Sequence, residues 1–471
     1  MTTAPVVPTV PSPNAAGASG SAKRTGMGDS MARATRFFGV LFSVALIPPA
    51  ALGADEAGKA PWAMGRNPVM FRADAARTGY YPGALGKAAP GRKHTRIVYA
   101  SSTDGHVYAW DAMTGDAIWN YDLHCKVLSC PAVARGVVYV GTCSRYEGRR
   151  AKARDGSPDS VTPCVAALDA LTGAVRWKVD PGRPVTSSLV PAEGTVCLGT
   201  DDGYLYALNA EDGRRRWETK IADRPLEHCP AAANGVFYSG VKNLCALSAK
   251  TGEILWSTGL DHPTRGGEYN ISAITFAPAA VGGMVYVTTS GTLLGGTTRY
   301  NEVVALEAKT GRQVWAKRGS GASAAAAVAG GIVYVPSYDD WLYALSAASG
   351  QELWKARLDQ PDIVLGGGGR MLLVADGAVY VQCALGLLKL EARTGRELPW
   401  SVRPPRELEV FSLVDGILYG GACQINWPLD GVPTSASRPF LAFDPADGKT
   451  LWQVADKGGF ASGCAVADCM P

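Results

Sequence analysis

Charge is scarce in this sequence, and neither sign dominates. Lys and Arg number 46 against 42 Asp and Glu, together 19% of 471 residues, and the net charge is +4. Four of the basic residues and one acid lie within residues 1–53, which leaves +1 for the rest. A nucleic-acid-binding domain gathers cations on one face. Nothing here forces such a face, and nucleic acid is not an expected partner. Only five histidines are present. There is no phosphate-binding loop, no zincin helix and no serine elbow. The glycine run Gly366 to Gly369 lacks the Lys-Ser/Thr that a phosphate loop requires. A Cys-x-x-Cys-His haem attachment site is also missing.

What the chain does have is glycine (56), proline (30) and 47% hydrophobic residues. That mixture suits many short strands joined by tight turns. Residues 1–30 are rich in Pro, Ala, Ser and Gly and read as a disordered extension. Arg33 and Arg36 then precede the apolar stretch Phe37–Ile47, Pro48-Pro49 and Ala51-Leu52-Gly53. A basic start, a short apolar core and small residues at the end make a secretory signal, here 31–53, with Met31 as a candidate start. The apolar stretch falls short of the about 20 residues of a membrane-spanning helix, so no transmembrane anchor is expected in the mature chain. Eleven cysteines agree with export to an oxidising compartment, periplasmic or extracellular. Cys143 with Cys164, and Cys464 with Cys469, are spaced as candidate disulfides.

Aligned on one turn glycine, residues 54–471 resolve into eight copies of a single pattern. Ala109-Trp-Asp-Ala-Met-Thr-Gly115 is followed by Trp119, and Ala167-Leu-Asp-Ala-Leu-Thr-Gly173 by Trp177. The later copies end on Gly213 with Trp217, Gly252 with Trp256, Gly311 with Trp315, Gly350 with Trp354, Gly395 with Trp400 and Gly448 with Trp452. Glycine-to-glycine spacings are 58, 40, 39, 59, 39, 45 and 53 residues. A unit of about 40 residues with a few insertions is the period of a propeller blade. Runs such as Val137-Val-Tyr-Val-Gly141 read as strands, and the Thr/Asp-Gly turn places glycine where φ must be positive. A four-stranded blade buries its faces only by stacking on neighbours, so eight Trp at one offset are expected to be mortar between blades. The predicted fold is all-β, an eight-bladed β-propeller, and monomeric.

The Ala-x-Asp-x-x-Thr-Gly-x-x-x-Trp pattern resembles the tryptophan-docking motif of propellers of the pyrroloquinoline-quinone (PQQ) type, over roughly residues 95–455. Trp62 and Phe71-Arg-Ala-Asp-Ala-Ala-Arg-Thr-Gly79-Tyr80 also resemble the segment that opens many such proteins. The resemblance implies that this segment adds a strand to the last blade and helps close the ring. It also implies one of two functions. One branch, the quinoprotein alcohol dehydrogenases, holds PQQ and Ca²⁺ on the propeller axis. The other, resembling the assembly lipoprotein BamB, is a non-catalytic platform for a protein or other macromolecule. Dehydrogenases of this kind usually carry adjacent cysteines over the quinone, and no two cysteines are adjacent here. A Trp beneath the quinone would have to be Trp62, Trp110, Trp341 or Trp427; Trp110 and Trp341 sit in alternating strands that suit core or surface better. A BamB-like lipid anchor needs a Cys directly after the signal, whereas the first Cys is Cys125. The platform is the expected function, with a periplasmic PQQ- or metal-dependent oxidoreductase as the alternative.

Loops leading from an outer strand into the next inner strand open on one face. They carry His124 beside Cys125, Cys130-Pro131, His228 beside Cys229-Pro230, and His262. Cys130 and Cys229 take equivalent places in their units, with Ser188 and Ala277 in that column between and after them. Imidazole and thiolate at the mouth of the axis suit copper or zinc. The plainer expectation for the same residues is disulfides and solvated loop histidines. The insertions 144–163 and 290–301 are candidate recognition loops.

Overall fold

Eight sheets, antiparallel but for one short parallel pair, follow one another along the chain, and none of the described residues is helical. The computed structural model describes residues 80–81 and, with gaps, 95–469. The longest stretches outside it are 1–79, 82–94, 143–163, 359–371, 400–409 and 422–438. The extension, the signal segment, Trp62, Trp400 and Trp427 therefore lie outside the described residues, as do Cys125, Cys143, Cys464 and His262.

The second blade shows the plan. A short inner strand, Ala132–Ala134, pairs with Val137–Gly141, then Val165–Asp169, then the outer strand Val175–Val179. The two inner strands are buried at every position, and the outer one is mostly exposed. This gradient follows from apolar, β-branched sequence inside and alternation outside. The third, fourth and sixth blades repeat the plan, with outer strands Arg215–Lys220, Ile254–Gly259 and Glu352–Arg357. The fifth is enlarged by the long hairpin Met284–Leu293 and Arg299–Glu307, which takes up part of the 290–301 insertion. In the seventh, three strands are described.

Innermost strands of successive blades touch all the way round, so the blades form a closed ring. Closure is made by the chain's two ends. The first blade takes Thr95–Ser101, His106–Asp111 and Ala117–Asp122 from the beginning of the chain, and its inner strand Ala465–Cys469 from the end. Tyr80–Tyr81 pairs with Leu413-Val414 on the inner edge of the eighth blade, where the opening segment was expected to lie. The C-terminal strand, which locks the ring, was not anticipated.

Between blades sit apolar clusters, and the tryptophans are at their edges as expected. Trp119 donates its indole N–H to the Ala170 carbonyl at 2.9 Å, and Trp177 to Ala210 at 3.0 Å. Trp217, Trp256, Trp315, Trp354 and Trp452 bond Ala249, Ala308, Ala347, Ala392 and Ala112 in the same way. Each indole also covers the turn glycine of the next blade. A Cβ on Gly173, which has φ of 72°, would stand 2.7 Å from the Trp119 ring, so only glycine fits under it. The same alanine carbonyls accept a tyrosine hydroxyl from Tyr99, Tyr139, Tyr238, Tyr286 and Tyr334. In the third blade that tyrosine is replaced by Cys197, which pairs with Ala207 as Tyr139 pairs with Ala167.

Candidate functional site

Outer strands run into the next inner strand on one face, and the turns between second and third strands open on that same face. Its buried polar side chains are almost all hydroxyls. Ser101 Oγ donates to the Ser129 carbonyl at 2.6 Å, and Ser129 Oγ donates to Gly141 O and accepts from Gly141 N. Ser187 Oγ accepts from Gly199 N at 2.8 Å, and Thr186 Oγ1 donates to Leu226 O at 2.8 Å. These hydroxyls are spent on tying each entering loop to backbone of its own or the adjacent blade. Buried, they are satisfied by backbone within the protein.

The four residues of the column named from sequence each stand two positions before an innermost strand, within these hydrogen-bonded loops. Cys130 N donates to Ser188 Oγ at 3.0 Å, linking the second and third blades. Cys130, Cys229 and Ala277 are all buried. Cys197 lies against Cys229; burial, only partly opposed by a hydrogen bond from Leu198, pushes its thiol well above the usual range, and Cys229 adds to the rise. Such a thiol is a packing group. His124 is elsewhere: its side chain is 80% exposed, its φ is 61°, and its Nδ1 is 3.2 Å from Asp122 Oδ2. His228 is half-buried with its ring 6.2 Å from Phe276. Among the described residues no three His, Cys, Asp or Glu side chains are placed to hold a metal ion. No disulfide is formed among them either; Cys164 is buried, and its Sγ accepts from Thr142 Oγ1 at 3.7 Å.

The turns and third strands of this face carry a rim that sequence reasoning did not pick out. In the first blade Asp104 Oδ1 accepts from His106 N at 2.9 Å and Oδ2 from the Tyr108 hydroxyl at 2.6 Å. Burial raises the Asp104 carboxyl, but the hydrogen bonds from Tyr108, His106 and Ser102 outweigh it and hold its pKa below the ordinary value. His106, Tyr108, Trp110 and Phe440 stack in sequence, with centroids 5.6, 5.2 and 5.3 Å apart, running from the rim into the seam between first and last blades. The sixth blade repeats the carboxylate–phenol pair, with Asp339 Oδ2 accepting from Tyr343 at 2.6 Å, and Lys355 lies 5.0 Å over Trp341. In the third, Arg183 stacks 4.8 Å over Tyr204 and pairs with Asp202. The spacing Asp-x-x-x-Tyr at 104–108 and 339–343 was the available signal. Trp110 and Trp341 thus sit in the core and on the rim, as their strands imply.

PQQ with Ca²⁺ calls for several carboxylate and amide oxygens converging on the axis. The buried carboxylate among the described residues, Glu302 at 5% exposure, is paired with Arg318 on the neighbouring outer strand. With the hydroxyls of this face bonded to backbone and no carboxylates gathered, the described residues do not fit that cofactor.

A closed, tryptophan-docked ring of eight blades defines the class as a PQQ-like β-propeller. Residues 53–159, 160–295 and 280–406 match the family described as outer membrane protein assembly factor BamB, and the chain belongs to that family. It is 29% identical over 276 residues to BamB of Yersinia pestis, covering 55% of this chain and 63% of that protein's length. It is also 25% identical over 359 residues to the tetrathionate hydrolase of Acidithiobacillus ferrooxidans, covering 69% of this chain and 68% of that enzyme. Among solved structures, BamB from Moraxella catarrhalis superposes with a TM-score of 0.51 at 18% identity, over 69% of this chain and 90% of that one. A europium-containing methanol dehydrogenase superposes at 0.59 and 14% identity, over 84% and 86%. These two likenesses are of fold.

Proposed function

We propose that this chain is an exported propeller that serves as a binding platform for a protein partner in envelope assembly. The observation that carries the reading is the division of labour on one face. Buried hydroxyls tie the loops to backbone, while Asp104, His106, Tyr108, Trp341 and Arg183 stand partly exposed on the same face. Aromatic and arginine side chains on a rigid scaffold are the groups that interfaces favour. Membership of the BamB family and the signal-like segment 31–53 agree with this reading. A copper or zinc site formed by His124, Cys125, Cys130, His228, Cys229 and His262 is the competing use of the face.

Photo-crosslinking from position 341 or 108 in living cells, followed by identification of the joined species, tests the platform. Recovery of one envelope protein from both positions supports it. Stoichiometric copper or zinc in the purified protein, or PQQ uptake with Ca²⁺ and dye-linked alcohol oxidation, would replace it by the oxidoreductase reading.

A further inference from the structure

Trp110 departs from the repeat. In the second to seventh blades its place in the third strand is held by leucine: Leu168, Leu208, Leu247, Leu306, Leu345 and Leu390. Phe440 departs as well, since Val107 holds its place in the first blade and Val165 in the second. Aliphatic side chains therefore suffice to fill these two places. In the seam between first and last blades the two rings stack instead, 5.3 Å apart and 19° from parallel. Tyr108 lies 5.2 Å from Trp110 at 8° on one side, and Trp452 lies 6.1 Å from Phe440 on the other. Trp110, Phe440 and Trp452 are buried, whereas Tyr108 and His106 are half-buried.

The outer end of this stack carries a base. The Tyr108 hydroxyl donates to Asp104 Oδ2 at 2.6 Å. Against the rise from burial, the hydrogen bonds from Tyr108, His106 and Ser102 hold the Asp104 pKa below the ordinary value. A phenol gives up an electron readily only when its proton can leave at the same time, because the oxidised phenol is a very strong acid. A carboxylate within hydrogen-bond reach takes that proton. An indole gives up an electron without moving a proton, and stacked rings pass the deficit from one to the next.

We propose that Tyr108 is a one-electron redox centre that drains oxidising charge from the buried Trp110 and Trp452 to the surface of this face. The co-reactant is a one-electron oxidant, which removes one electron from the stack. An electron lost by Trp452 is replaced from Trp110 across Phe440, and one lost by Trp110 is replaced from Tyr108. As Tyr108 gives up its electron, its hydroxyl proton passes to Asp104 Oδ2. The products are a neutral Tyr108 phenoxyl radical, a protonated Asp104 and the oxidant reduced by one electron. One electron from an enediol reductant and the proton held by Asp104 restore Tyr108. The sixth blade is the built-in comparison. Tyr343 donates to Asp339 at 2.6 Å in the same way, but Leu345 stands where Trp110 does, so that place holds no indole to drain. The proposal does not depend on the platform reading.

The full chain is exposed to photogenerated tris(bipyridine)ruthenium(III), and oxidised residues are mapped by mass spectrometry, with a nitroso spin trap for tyrosyl radicals. In the unaltered protein the trap is expected on Tyr108, with Trp110 and Trp452 intact. Asp104→Asn keeps an acceptor for the His106 N–H but is no base, and it is expected to lower trapping at Tyr108 about tenfold or more. Tyr108→Phe is expected to move oxidation inward, with hydroxylated and kynurenine products at Trp110 and Trp452 several-fold above the unaltered protein. Tyr343→Phe is expected to leave both tryptophans intact. Thermal melting establishes that each variant is folded; should Asp104→Asn not fold, Tyr108→Phe and Tyr343→Phe decide the case by themselves. Equal trapping at Tyr108 with and without the Asp104 carboxylate, or unaltered Trp110 and Trp452 in Tyr108→Phe, would overturn the proposal.

Discussion

Trp452 donates its indole N–H to the carbonyl oxygen of Ala112 at 2.9 Å, a bond between residues 340 positions apart. It is the same bond that Trp119 makes to Ala170 within 51 positions. A local motif, repeated, becomes at its last use the contact that joins the ends of the chain.

Replacing Trp452 by Phe keeps the ring over Gly115 but leaves the Ala112 carbonyl without its donor. The expected loss is about 0.5–1.5 kcal/mol in denaturant unfolding. Trp452→Ala should cost about 3–5 kcal/mol, because a large buried ring is lost as well. Equal effects of the two would mean that the indole N–H contributes nothing.

Gly173→Ala and Gly136→Ala separate two penalties. Both residues have positive φ, 72° and 71°, but a Cβ on Gly173 strikes Trp119 while one on Gly136 meets nothing within 4 Å. Gly136→Ala should cost only backbone strain, about 1–2 kcal/mol. Gly173→Ala should cost clearly more in the same unfolding measurement, with Trp119 fluorescence altered.

Alkali should open the ring through its tyrosines. Burial pushes Tyr139, Tyr238, Tyr286, Tyr334 and Tyr380 up to about 12. Their ordinary value is 10.0. Between these values the folded chain holds protons that the unfolded chain has released, so stability falls as pH rises. The contribution is full below 10.0 and is lost through about 12. Tyrosinate absorbance of these residues should appear together with loss of the folded far-ultraviolet signal; its appearance well before unfolding would contradict the assignment.

Cys197 should resist alkylation in the native protein and react once denaturant is added, since burial keeps it a neutral thiol out of reach. Mass mapping after labelling decides this; native-state modification at Cys197 would show that the seam between the third and fourth blades opens.

Much of the fold could be read from sequence because its central device is local. Thr-Gly and Trp lie four residues apart in most units, and the spacing that sets the turn also sets the dock. The C-terminal strand 465–469 has no such device: Ala-Val-Ala-Asp-Cys is a plain strand whose partner, Thr95–Ser101, is at the other end of the chain. Alignment on the turn glycine likewise hid Cys197, since the tyrosine it replaces belongs to the second strand. For the candidate site, the column spacing puts Cys130 and Cys229 two blades apart, and Ser188, from the blade between them, accepts a hydrogen bond from Cys130 N. The Asp104–Tyr108 and Asp339–Tyr343 pairs were visible as a spacing, but only the hairpin turn shows that carboxylate and phenol meet.

The blade assembled from both termini has a consequence for biosynthesis. A growing chain can stack its second to seventh blades as they are made, but the first remains without its inner strand until residues 465–469 have been synthesised. The ring therefore cannot shut before that strand is made. An incomplete polypeptide presents an open arc with unpaired edges, which leaves it threadable through a narrow channel and visible to proteases that remove unfinished molecules.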